Sequence, residues 1–318
     1  FAKTAEYEKL AHALSAPGAC ALFGLPGSGR AMVYAALAKE TGRFLCIVTP
    51  GEAEATRFAG DLNALGIPTA VFPARDYVLR PIEGTAREYE YRRLSVLGDI
   101  VGGRLQAVCV PDEGLTQYTT PRAEFCNNTR TLHPGDTVPR TELTALLYNA
   151  GYARRAQVDG PGQFSIRGDI VDLYAPDMKL PVRMEFWGDE IDTMHTFDLA
   201  TQRREDPIEK IYVSPAREVL FGSPAEAAEL LRAFIKKFRG KKRTALEVCL
   251  ATELAQLDGG ALPVNMDKYL AVRYPQPATL LDYFDDPLLV LEEPASLREA
   301  ERATTYRRGE EISALLQD

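Results

Sequence analysis

The sequence has few of the residues that build metal sites, disulfide frameworks and membrane spans. It contains three histidines, and its five cysteines are scattered with no Cys-x-x-Cys pair. An odd number of separated thiols is typical of reduced cysteines in a cytoplasmic protein, and no zinc site is expected. No apolar run is long enough to cross a bilayer, and the N-terminus lacks the apolar core of a signal peptide. These absences favour a globular, cytoplasmic protein with no metal and no membrane segment.

Positive charges are outnumbered, since 37 Lys and Arg stand against 45 Asp and Glu and the net charge is −8 at pH 7. This balance argues against a general nucleic-acid-binding surface, which needs many clustered cations. One local exception carries six cations, which are Lys236, Lys237, Arg239, Lys241, Lys242 and Arg243. We interpret this run as a solvated helix end, with direct contact to DNA as the alternative.

The first third of the chain alternates short apolar runs with helical patterns, which predicts a parallel sheet covered by helices. The predicted buried strands are Cys20 to Phe23, Phe44 to Val48, Thr69 to Phe72 and Ala107 to Val110. Helices are predicted over residues 31–40 and 52–65, where apolar residues recur every three or four positions. Gly42 and Gly66 follow them, where a helix end favours a residue that tolerates positive φ.

Near Pro121 the apolar periodicity changes from helical to alternating, after one last helix over residues 140–151. Three strands are then predicted, over residues 164–174, 182–187 and 190–197, the last two joined by the two-residue turn Gly188-Asp189. Helices return at Ser223, and an apolar strand over residues 287–291 ends in two acids.

The predicted architecture is a RecA-like α/β fold with an inserted β-rich α+β domain. The α/β domain spans residues 1–120, the inserted domain residues 121–214, and residues 215–318 complete the first sheet. The chain begins at Phe1 and stops within a helical pattern, so we expect it to be part of a longer protein.

A glycine-rich loop follows the first predicted strand, at the place of a Walker A phosphate loop. A working loop reads G-x-x-x-x-G-K-[ST], in which backbone N–H groups and the lysine hold phosphates and the hydroxyl holds Mg²⁺. Here the glycines are present, but Arg30 replaces the lysine and Ala31 the hydroxyl residue; the positions are Gly24, Gly27, Gly29, Arg30 and Ala31. Losing both groups is expected to abolish ATP turnover.

Glu292 and Glu293 stand where a Walker B pair would hold Mg²⁺, with glutamate in the usual place of aspartate. We interpret the loop as a structural turn and the two acids as a solvated strand end. Residual nucleotide or sulfate binding at the helix N-terminus is the alternative.

The predicted hairpin over residues 182–197 has an unusual outer face. Alternation places Arg183, Glu185 and Trp187 on the side opposite Val182, Met184 and Phe186. A two-residue turn would set Glu185 opposite Asp192 and Arg183 opposite Met194, and Arg167 would approach the same patch. An exposed Trp beside arginines is typical of a protein interface; the alternative is a solvated face with internal salt bridges.

Two stretches of the middle domain carry a family resemblance. They are GPGQFSIRGDIVDLY at residues 160–174 and PVRMEFWGDEI at residues 181–191, with further matches at residues 197–198, 201–203, 215–221 and 277–283. The chain resembles the N-terminal module of the bacterial transcription-repair coupling factors, which is similar to the excision-repair protein UvrB. UvrB itself keeps an intact lysine-threonine loop and a long β-hairpin, for which residues 72–105 are too short.

The resemblance implies a role in nucleotide excision repair. In this family the middle domain recruits UvrA to RNA polymerase stalled at a lesion, while later domains bind the polymerase and use ATP to translocate on DNA. A C-terminal domain masks the UvrA-binding face in the resting protein. The matching contact positions are Arg167, Arg183, Glu185, Phe186 and Trp187, the last standing where relatives are expected to have Phe.

The same resemblance implies no catalysis and no cofactor for this part of the protein. The rival hypotheses are an active ATP-binding helicase or translocase fragment and a UvrB-like damage-binding protein.

Overall fold

The computed structural model describes residues 4–16, 18–75, 87–263, 265–276 and 278–317. The strands are β1 Leu45–Thr49, β2 Thr69–Val71, β3 Ala107–Pro111, β4 Arg130–Leu132, β5 Ala153–Arg154, β6 Gln163–Arg167, β7 Ile170–Tyr174, β8 Val182–Trp187, β9 Glu190–Phe197, β10 Arg204–Pro207, β11 Ile211–Val213 and β12 Leu288–Leu291. The α-helices are α1 Ala5–Ala13, α2 Gly27–Thr41, α3 Glu52–Ala64, α4 Glu88–Val101, α5 Asp112–Thr116, α6 Arg122–Asn127, α7 Arg140–Asn149, α8 Pro224–Lys236, α9 Lys241–Cys249, α10 Ala251–Asp258, α11 Leu270–Arg273 and α12 Pro294–Gln317. Two short 3₁₀ helices lie at Met266–Tyr269 and Leu280–Tyr283. The described residues leave out part of residues 72–105, the stretch that was compared with a long β-hairpin. They also leave out Pro277 of the match at residues 277–283.

The chain divides into two compact units. The first combines residues 1–89, 99–117 and 280–318, and the second combines residues 90–98 and 118–279. The helices α8 to α11 therefore group with the β-rich part, whereas the chain returns to the first unit only from residue 280. The boundaries at residues 121 and 215 stay predictions.

The first unit contains a parallel sheet in the order β12-β1-β3-β2. Leu45 pairs with Leu288 on one side and with Ala107 on the other. Every residue of β1 and β3 is buried, which explains why both read as continuous apolar runs rather than alternating ones. The mixed α/β class with a parallel sheet is confirmed.

The strand predicted at Cys20 to Phe23 is wrong. These four residues are exposed and irregular, and Phe23 is 86% exposed. Four apolar residues satisfy the composition of a buried strand, but such a short run carries no periodicity that identifies its pairing. The glycine-rich loop thus follows irregular chain.

Two helices of the first unit end at the predicted glycines. Gly42 caps α2 in the left-handed conformation, with φ of 65°, and Gly66 follows α3 with φ of 78°. A residue with a Cβ is strained in that region, so glycine ends both helices there. Helix α2 begins at Gly27, four residues before the predicted start, and includes the last residues of the phosphate-loop motif.

The second unit is built on a six-stranded sheet in the order β10-β9-β8-β7-β6-β5, antiparallel except between β5 and β6. The prediction of one strand over residues 164–174 is wrong, because Arg167 pairs with Ile170 and the chain reverses at Gly168, whose φ is 62°. Gly168-Asp169 is thus a second Gly-Asp turn. Apolar residues flank this turn on both sides, and for this reason the sequence pattern predicted one continuous strand.

Among the described residues, no helix is long and apolar enough to cross a membrane. No group of three or more His, Cys, Asp or Glu side chains in those same ranges is arranged to hold a metal ion. Cys46 and Cys109 are buried in the parallel sheet, and burial raises the pKa of each thiol to about 12. Both thiols are therefore protonated and unreactive at neutral pH.

Candidate functional site: an exposed sheet face and a glycine-rich loop

The hairpin formed by β8 and β9 has one apolar and one polar face. Val182, Met184 and Phe186 are buried in the core of the second unit, whereas Arg183, Glu185 and Trp187 alternate with them. The Gly188-Asp189 turn is confirmed, since Trp187 pairs with Glu190 across it and Gly188 has φ of 64°. The predicted division of the strand between core and outer face is confirmed.

The predicted register of this hairpin is wrong by one residue beyond the turn. A β-bulge between Glu185 and Phe186 sets Glu185 opposite Thr193 and Arg183 opposite His195. A bulge inserts one extra residue into a strand without changing the turn, so counting from the turn misplaces every later pair. Glu185 therefore does not face the carboxylate of Asp192, and it forms an ion pair with Arg204.

A buried carboxylate, Asp172, organises the arginines of this face. Its side chain is inaccessible to solvent and accepts two hydrogen bonds from Arg183, from Nε at 2.7 Å and from Nη2 at 3.0 Å. Arg167 donates a third hydrogen bond from Nη2 at 2.6 Å. Asp172 lies on β7 directly opposite Arg183 on β8, so the sheet register sets this contact. The predicted approach of Arg167 to Arg183 is confirmed.

Arg183 and Arg167 differ in the solvent exposure of their side chains. The Arg183 side chain is 11% exposed, and its guanidinium lies over the Phe197 ring at 4.6 Å and donates to the Gln202 carbonyl. Its hydrogen bonds to Asp172 raise the pKa of Arg183. Arg167 is nearly half exposed. Arg183 is therefore mainly a fixed part of the face, whereas Arg167 is available to a partner.

Trp187 is the most exposed large side chain of the hairpin. It is 83% exposed, at the end of β8, one residue after the buried Phe186. Large aromatic side chains are usually buried, and Trp is the residue most enriched where binding energy concentrates. Trp187, Arg167, Arg183 and Asp172 form what we call the arginine face.

Asp172 was missed as a functional residue in the sequence. It stands in the apolar run Ile170-Val171-Asp172-Leu173-Tyr174, where alternation places it on the side opposite Val171 and Leu173. A lone carboxylate in a buried strand requires a charged partner. This requirement could have identified Asp172 from the sequence.

The glycine-rich loop of the first unit, which the sequence predicts to be a degenerate phosphate loop, is linked by Arg30 to the end of β12. Arg30 on α2 donates from Nη1 to Glu292 at 2.6 Å and to Glu293 at 2.8 Å. The buried Glu292 also accepts a hydrogen bond from the Tyr34 hydroxyl, and burial together with this carboxylate raises the pKa of Tyr34. Arg30 therefore neutralises both Glu292 and Glu293, the two acids at the predicted Walker B position.

The other loop positions agree with a structural use. Ala31 is buried in the core of the first unit, so it offers neither a hydroxyl nor an open position for one. Gly24 has φ of 80°, while Gly27 and Gly29 begin the helix. Glu293 holds an unusual φ of 48°, a conformation that is strained outside glycine, and its carboxylate contacts Arg30. Glu292 is buried rather than solvated, in contrast to the predicted solvated strand end, whereas Glu293 is exposed.

Residues 131–219 match the family model described as the UvrB interaction domain. This range contains the whole arginine face.

The longer matches are to transcription-repair-coupling factors. The chain is 28% identical over 307 residues to that of Bacillus subtilis (strain 168), covering 93% of this chain and 26% of the relative. It is 26% identical over 307 residues to that of Staphylococcus haemolyticus, and 24% identical over 305 residues to that of Staphylococcus aureus (strain MRSA252), again covering 92% of this chain and 26% of each relative. The predicted resemblance to the UvrB-like module of these factors is confirmed. The chain spans about a quarter of the length of these relatives.

Proposed function

We propose that the chain is a docking module that recruits UvrA during transcription-coupled nucleotide excision repair. The observation that carries the proposal is the exposed Trp187 of the arginine face, within a range that matches a UvrB interaction domain. An exposed aromatic ring flanked by fixed charges is the composition of a binding hot spot.

The role proposed for each residue of the arginine face follows from its solvent exposure. Trp187 enters a pocket of UvrA and supplies apolar contact, and the half-exposed Arg167 pairs with a carboxylate of the partner. Arg183 and Asp172 hold the face in one arrangement before binding, which reduces the entropy that ordering would cost. Phe186 anchors the strand from the core side, and Glu185 is held by Arg204.

The remaining parts of the proposal concern the whole protein. The first unit is a degenerate RecA-like domain that serves as scaffold, without ATPase activity. Other domains bind RNA polymerase and translocate on DNA with ATP, and a C-terminal domain covers the arginine face until UvrA is needed. The protein acts in the cytoplasm.

The docking proposal is tested by titrating the fluorescently labelled chain with purified UvrA. We expect a saturable complex, with affinity in the micromolar range or tighter for an interface of ordinary size. Absence of binding by the folded chain, verified by circular dichroism, contradicts the proposal.

The rival hypothesis is an ATP-hydrolysing module, and the pairing of Arg30 with both glutamates argues against it. Mg²⁺ and the γ-phosphate would have to break two charge-assisted hydrogen bonds and then find no hydroxyl ligand at Ala31. We therefore expect no phosphate release above background when the chain is incubated with Mg-ATP, with or without DNA. Turnover that is lost in the Glu292→Gln variant would establish the rival hypothesis.

A further inference from the structure

A strongly basic turn joins α8 and α9 in the second unit. Six of the eight residues from 236 to 243 are Lys or Arg, in a chain whose net charge is −8. All six are exposed. We call these six residues the basic turn.

The cations of the basic turn have almost no internal counter-charge. Within the described residues, the one ion pair formed by any of the six is between Arg243 and Glu247, at 2.8 Å. Glu247 is the single carboxylate of α9. The other five cations are left to solvent, which is an unfavourable arrangement of like charges unless an anion neutralises them.

The position of the charges on α9 strengthens this conclusion. Lys241, Lys242 and Arg243 form the first turn of the helix, where the helix dipole is positive and acidic residues are the stabilising choice. Helix α9 also contributes no buried residue to the core, so packing does not account for these cations. A bound polyanion would relieve both the mutual repulsion and the dipole conflict.

The backbone presents the two halves of the basic turn together. Gly240 has φ of 58° and ψ of −142°, a conformation that is essentially restricted to glycine. This residue lies between α8 and α9, which are in contact with each other. The six cations therefore all lie within four residues of one glycine, on both sides of it.

We propose that the basic turn binds the phosphate backbone of duplex DNA without reading its sequence. Lysine predominates, with four Lys to two Arg, and Lys acts on phosphates as a point charge. Single-stranded nucleic acid would require exposed aromatic rings for base stacking, but the neighbouring Phe234 and Phe238 are half-buried and pack edge-to-face at 5.2 Å. Binding to duplex DNA requires only cations that contact the phosphates.

The test measures the affinity of the full chain for a short labelled DNA duplex by fluorescence anisotropy, between about 50 and 200 mM salt. We expect Lys241→Ala/Lys242→Ala to weaken binding by roughly tenfold at low salt. The slope of log K against log salt should become shallower by about 2, because each phosphate contact contributes about 0.9. The matched control is Lys179→Ala/Lys210→Ala, which removes the same charge from exposed positions elsewhere in the second unit.

The proposal is overturned if the wild-type chain does not bind duplex at about 50 mM salt. It is also overturned if both double variants lose affinity equally, or if single-stranded DNA of the same length binds more tightly than duplex. All four lysines are exposed, so circular dichroism is expected to be unchanged in both variants. UvrA binding is measured in parallel and is expected to be the same for wild type and both variants.

Discussion

Replacing Asp172 by Asn is expected to lower the free energy of unfolding of the chain by about 3 kcal/mol. The carboxylate is inaccessible to solvent and accepts hydrogen bonds from both Arg183 and Arg167. An amide of the same shape turns one acceptor into a donor that faces guanidinium N–H groups, and it leaves the enclosed Arg183 without its counter-charge. Chemical denaturation followed by circular dichroism measures the loss.

The control for this prediction is Asp192→Asn on the same sheet. Asp192 is exposed, so we expect its replacement to change stability by less than about 0.5 kcal/mol. The Asp172→Asn variant should also bind UvrA more weakly than the control at temperatures where both are folded, since the arginines lose their fixed orientation. Equal stability of the two variants would mean that the arginines of this face do not depend on Asp172.

Replacing Arg30 by Met is expected to destabilise the chain by about 3 kcal/mol, because it leaves the buried Glu292 without a cation. The double variant Arg30→Met/Glu292→Gln removes the uncompensated charge as well. It should therefore be more stable than Arg30→Met alone, which a double-mutant cycle measures as a coupling of about 1 to 3 kcal/mol.

Arg57→Met is the matched control for the phosphate loop. Arg57 is exposed, and its guanidinium lies over the Phe58 ring at 5.1 Å. Its loss should cost less than about 1 kcal/mol. If Arg30→Met is no more destabilising than Arg57→Met, the ion pairs at the loop contribute nothing to the fold and the site is open to a ligand.

The sequence was sufficient for several elements whose structure is decided by local chemistry. Apolar periodicity located α3, continuous apolar runs located β1 and β3, and the glycines at positions 42 and 66 located the ends of α2 and α3. The Gly-Asp pair between two predicted strands located the turn at Gly188-Asp189, and alternation predicted the outward position of Trp187.

The sequence was insufficient where the pairing of one segment with another decides the structure, in a hairpin as well as between distant segments. The bulge after Glu185 shifts the register of β9 without any signal in composition. The contact of Arg30 with Glu292 joins positions 262 residues apart, and only the parallel sheet brings them together. The apolar run at residues 20–23 shows the converse error, since its composition fits a strand but no described strand pairs with it.

The central claim, that the arginine face docks UvrA through its exposed aromatic ring, is tested most directly by comparing Trp187→Ala with Tyr306→Ala. Tyr306 is 72% exposed on α12, so its removal deletes a comparable aromatic surface outside the proposed interface. We expect Trp187→Ala to weaken UvrA binding by about 2 kcal/mol, which is roughly thirtyfold, and to leave thermal stability unchanged. Tyr306→Ala should bind UvrA like the wild type. Wild-type affinity in the Trp187→Ala variant, or an equal loss in both variants, would contradict the account.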